Sequence, residues 1–93
     1  MKTDRLDAFV LALETLPEAT VTGVFDNRRY MATKSVFNGG KSVKFVAEEL
    51  GGSDYISLNL YKLASGVRLS PCEMSAAKVQ SFVLGFRTDQ DDA

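Results

Sequence analysis

Two groups of side chains in this sequence have the types and spacing to do chemistry. The first is basic. Arg28, Arg29, Lys34, Lys41 and Lys44 fall between Asp26 and Ala47, with Asp26 as the single anion of that stretch. Cations at this density hold phosphates, and Tyr30, Tyr55 and Tyr61 would add surfaces on which bases stack, so the stretch suggests nucleic-acid binding. A plainer account competes with it: lysine and arginine also gather on hairpins and edge strands, where they oppose sheet-to-sheet aggregation.

The second group is the row Tyr55, Ser57, Asn59 and Tyr61, which alternates with Ile56, Leu58 and Leu60. Strict alternation places the two sets on opposite faces of a strand. Tyrosine supplies area with one polar tip, and serine and asparagine supply hydrogen bonds, which is the chemistry of a protein-recognition surface. Two copies meeting through such a face would form a symmetric dimer, the commonest oligomer.

Catalytic candidates are few. The chain has no histidine, which removes Ser-His and Cys-His dyads and most zinc sites. Cys72 lies shortly before an expected helix, where the dipole favours a thiolate, so a small thiol-dependent enzyme is a third reading; a lone cysteine without a base is more often a small buried hydrophobe. Gly40-Lys41-Ser42 resembles the end of a phosphate-binding loop. However, Ser35 stands where that motif has its first glycine, and no helix is expected to follow, so hairpin glycines explain the pattern better. Glu48 and Glu49 are adjacent, which on a strand sends them to opposite faces, away from paired acid-base work. Asp89, Asp91 and Asp92 lack the fixed glycine and glutamate of a calcium loop. No metal and no cofactor is implied.

These residues need a scaffold, and the totals bound it. Ninety-three residues with 45% hydrophobic and 25% charged side chains suit one domain with one core. A formal charge of −1 does not by itself mark a polyanion binder. One cysteine permits no internal disulfide, which points to a reducing, cytoplasmic compartment. Acids at Asp4, Asp7 and Glu14 interrupt any signal-like apolar run, and no stretch of about 18 apolar residues offers a membrane span.

Leu6, Phe9, Val10 and Leu13 have the spacing of one helical face, predicting a helix over 4–16, with Thr3 as its cap and Pro17 at its end. Strands are expected over 19–25 and 29–37, joined by the turn-prone pair Asp26-Asn27. Asn38-Gly39 signals a hairpin leading directly into 41–50, which fits a strand and, less well, a helix ending at Gly51. Strands over 55–63 and 67–72 follow, with Pro71 marking an edge or a strand end. Ser75 caps a last helix carrying Val79, Phe82, Val83 and Phe86.

The sequence therefore reads as an α+β domain over residues 1–87, with an acidic disordered tail over 88–93. Its antiparallel sheet has about five strands in meander order, with an N-terminal and a C-terminal helix packed on one face. The expected function is that of a non-enzymatic binding or interaction domain using the open face around Tyr55, Ser57, Asn59 and Tyr61. Its partner is expected to be a second copy or another protein, with nucleic acid as the alternative and no membrane.

Overall fold

The computed structural model describes residues 5–89; the expected cap Thr3 and the acids Asp4, Asp91 and Asp92 lie outside them. Helix α1 spans Arg5–Thr15, strands β1 to β5 span Thr20–Phe25, Arg28–Phe37, Ser42–Glu49, Tyr55–Leu63 and Gly66–Pro71, helix α2 spans Ala76–Gly85, and a short strand β6 spans Arg87–Thr88. The sheet order is β5-β4-β3-β2-β1-β6, antiparallel throughout. The meander and both helices follow the sequence expectation, and the segment around 41–50 is a strand.

Turn chemistry fixes the register. Asp26 and Asn27 both adopt left-handed backbone (φ 53° and 62°), closing a two-residue turn between the paired residues Phe25 and Arg28. The loop at Asn38 is longer than expected, because Phe37 pairs with Ser42 and four residues intervene. Asn38, Gly39 and Gly40 are all left-handed there, and β3 follows with no helix, so the resemblance of Gly40-Lys41-Ser42 to a phosphate-binding loop ends.

Both helices cover one face. Phe9 and Leu13 of α1 and Val79, Phe82 and Val83 of α2 are buried against Tyr30, Ala32, Val43, Phe45, Ala47, Ile56, Leu58 and Leu60. Phe82 sits at the centre, with ring centroids 4.8 Å from Tyr30, 4.9 Å from Phe25 and 5.0 Å from Phe86. Ser75 caps α2 as expected, its Oγ accepting from the Lys78 amide at 3.1 Å. Pro71 closes β5, which is an edge strand, so both roles expected of that proline hold.

The C-terminal end departs from the expectation of a tail starting at residue 88. Arg87 and Thr88 pair with Val24 and Gly23, and the Asp89 amide donates to the Thr22 carbonyl at 2.9 Å. Gly23 permits this approach: a Cβ there would collide with the Arg87 carbonyl oxygen and the Phe86 ring. The sheet accordingly has a sixth strand. Residues 90–93 lie outside those described.

Candidate functional site: the open face of the sheet

The residues that alternate with the core form the uncovered face. Register groups them into rows that cross the strands. Tyr61 lies between Arg68 and Ser42, with Phe37 beyond; Asn59 lies between Ser70 and Lys44, with Ser35 beyond. The next row is Ser57, Val46, Thr33 and Thr20, and the one after it Tyr55, Glu48, Met31 and Thr22. The four residues expected to form the surface are thus on one face. Their strand is interior and next to the edge, one position from the sheet's centre.

The polar groups of this face divide into satisfied and free. Tyr55 Oη donates to Glu73 at 3.2 Å, which raises the Tyr55 pKa through that hydrogen bond first. Asn59 Nδ2 lies 3.7 Å from Cys72 Sγ, so the half-buried thiol is a neighbour of the row, and no basic side chain hydrogen-bonds it among the described residues. Thr20 and Thr33 share a 2.9 Å hydrogen bond. The side chains of Ser57 and Tyr61, and the charges of Lys44, Glu48 and Arg68, form no hydrogen bond or ion pair among the described residues. Tyr61, Leu63, Arg68 and Ser70 border a shallow depression of about 290 Å³. Apolar area is interleaved with these groups, since Met31 is 40% exposed, Tyr55 42% and Phe37 52%.

The basic stretch is dispersed by the same alternation. Lys44 lies on the open face, as does Arg29 at the opposite end. Arg29 is held by Asp89 through two hydrogen bonds of 2.7 and 3.1 Å, and Thr22 donates to the same carboxylate. These bonds, Arg29 first, hold the Asp89 carboxyl down to about 2 and raise Arg29. Arg28 is directed toward the other side, 4.0 Å from Glu49, and Lys41 lies in the loop before β3.

Lys34 is buried on the helix face. Its ammonium donates to the carbonyls of Leu13, Glu14 and Leu16 at 3.0, 3.3 and 2.7 Å. Those carbonyls belong to the end of α1, where a cation meets the negative end of the helix dipole. Burial pushes the Lys34 pKa down. Tyr30, expected among the stacking tyrosines, is also on the helix face, 1% exposed, with its hydroxyl donating to Asp54 at 2.7 Å. Burial first, then Asp54, pushes its pKa up to about 12. Asp54 is itself lowered by Lys78, 2.9 Å away, and then by Tyr30. The five cations and three tyrosines therefore do not converge on one surface. Glu48 and Glu49 do separate to opposite faces, and Glu49 accepts from the Asp54 amide at 3.2 Å.

Two features escaped the sequence reading. One is the clamp of Arg29 and Thr22 on Asp89, hidden because Asp89 resembled the acids that follow it. The other is an apolar groove of about 490 Å³ between the helices, lined by Ala8, Leu11, Leu16, Val83 and Leu84 among others. Leu11 and Leu84 are 67% and 42% exposed there and stand outside both core-facing patterns. A single exposed leucine is ordinary on protein surfaces, so no sequence signal set these two apart. Among the described residues no group of acids and cysteine has metal-binding geometry, and no helix is long and apolar enough to cross a membrane.

Fold and site together define an α+β domain with one face of its sheet closed by helices and the other open. Comparison with family models, with curated proteins and with solved structures finds no match to this chain.

Proposed function

We propose that this chain is a non-enzymatic interaction domain that binds a protein partner through the open sheet face around Tyr55, Ser57, Asn59 and Tyr61. The observation that carries this reading is the state of the face. It combines exposed apolar area at Met31, Phe37 and Tyr55 with the unpaired polar groups of Ser57, Tyr61, Lys44, Glu48 and Arg68. A surface that only faced water would not need large apolar and aromatic side chains on interior strands. Aromatic area between unused hydrogen-bonding groups is what a partner can bury without leaving polar atoms unmatched.

A fluorescently labelled sample sedimented in cell extract tests the reading. The wild-type chain is expected to sediment faster than its 10.2 kDa mass allows, and Tyr61→Ser to return it to the monomer position while leaving the fold intact. A wild-type boundary that stays monomeric, or a Tyr61→Ser boundary identical to a fast wild-type one, would contradict it.

A further inference from the structure

We infer that the partner is a second copy of this chain, docked face to face about a two-fold axis that crosses the strands at Val46. The inference rests on the open-face reading and adds its occupant and geometry.

The outward residues of β3 are Ser42, Lys44, Val46 and Glu48, so a cation and an anion flank Val46 symmetrically on one strand. Four residues of strand separate Lys44 from Glu48 by about 13 Å, too far for them to pair within one chain. Neither is paired with any other described residue. A two-fold axis lying in the face and crossing the strands at Val46 reverses the strand direction of the second copy. Lys44 of each copy then stands over Glu48 of the other, twice, around a Val46 contact.

The neighbouring strands follow the same rotation. On β4 the axis passes Ser57, placing Asn59 of one copy over Tyr55 of the other; on β2 it passes Thr33, placing Met31 over Ser35. The other in-plane axis, along the strands, keeps each row over itself. Lys44 would then meet only its own row, a second Lys44 or Ser35, Asn59 and Ser70, and Glu48 only a second Glu48 or Tyr55, Met31 and Thr22. That arrangement buries four charges without partners, which is strongly unfavourable. Charge complementarity therefore selects the crossing axis.

Size indicates how tight the contact is. A patch spanning four strands and about eight residues of length covers on the order of 500 Å² per copy. Tight complexes bury about 800 Å² per partner. The dimer is therefore a reversible one, read at concentrations up to about 1 mM.

Sedimentation equilibrium of the purified chain tests this with Lys44→Glu, Glu48→Lys, and both changes in one chain. Each single change puts like charges in contact at both symmetric positions and is expected to weaken self-association by about tenfold or more. The double change restores opposite charges at both positions and is expected to recover it. Both side chains are exposed, and unfolding curves of the variants check that the fold is kept. Recovery in the double variant supports the axis. Self-association indifferent to all three changes but lost in Tyr61→Ser overturns the axis while leaving the open-face reading in place. A purified chain that stays monomeric to about 1 mM overturns the second copy as partner, and a fast boundary in extract would still support the face. Self-association indifferent to Tyr61→Ser as well removes both.

Discussion

The two faces of this sheet are made from alternate residues of the same strands, yet they are opposites in chemistry. On the helix face, Ala32, Phe45, Ile56, Leu58 and Leu60 are within 1% of complete burial, and the lysine buried there, Lys34, has three carbonyl partners. On the open face, hydroxyls and charges are left unpaired beside exposed methionine and aromatic side chains. Residue parity separates the side chains that build the core from those left exposed for the proposed contact. Under the proposed function, a change at Leu58 is expected to act on folding and a change at Asn59 on contact, although the two are neighbours in the chain.

The separation can be broken most severely from the helix face. Phe82→Ala removes the ring at the centre of the aromatic cluster and is expected to cost about 3–5 kcal/mol. Denaturant unfolding measures it, and a loss below ~1 kcal/mol would show that the cluster does not anchor the fold. Lys34→Met keeps the volume of the side chain but removes the ammonium from three carbonyls at the end of α1, of which that of Leu13 keeps the Leu16 amide. The expected cost is about 2 kcal/mol by the same measurement, since bonds from a charged donor are among the stronger ones.

Alkaline titration sharpens the contrast further. Tyr30 has its pKa raised from 10.0 to about 12 in the folded chain. A group raised on folding contributes stability that is complete below the unfolded value and lost as pH climbs through the folded one. Tyr30 therefore predicts stability falling between pH 10 and about 12. Tyr30→Phe should remove that alkaline limb and lower neutral stability by about 1 kcal/mol through the lost bond to Asp54. An unchanged limb in the variant would assign it to other groups. The smallest effect on folding is expected on the open face, where Tyr61→Ser should shift unfolding by no more than ~0.5 kcal/mol.

Most of the architecture was legible because local signals agreed. The helical spacing of Phe9 and Leu13, the alternation of Tyr55 to Leu63 and the Ser75 cap each had one reading. The segment Ser42–Glu49 was ambiguous within itself, since its valines and alanine fit either period, and it is the sheet pairing on both sides that makes it a strand. Lys34 was misleading for a related reason. In Arg28–Phe37 both alternating sets mix apolar and polar residues, so the pattern alone does not say which set faces inward, and a lysine among them looks like surface charge. Only the carbonyls at the end of α1 give it buried partners. Strand β6 was illegible because two residues carry no period, and its place depends on a gap left by Gly23 more than sixty residues earlier.

The open face itself was legible as a set of residues, whereas its row partners were not. Lys44 and Glu48 become neighbours of Asn59 and Tyr55 only through the register between β3 and β4.

The most direct test of the open face as the contact surface is an amide NMR dilution series of the labelled chain, followed by addition of a mixed-sequence single-stranded oligonucleotide at low salt. Concentration-dependent shifts are expected at residues 42–48 and 55–61, with α1 and α2 unmoved and no response to the oligonucleotide. Shifts confined to the helical groove around Leu11 and Leu84, or shifts across residues 28–44 appearing only with nucleic acid, would contradict it.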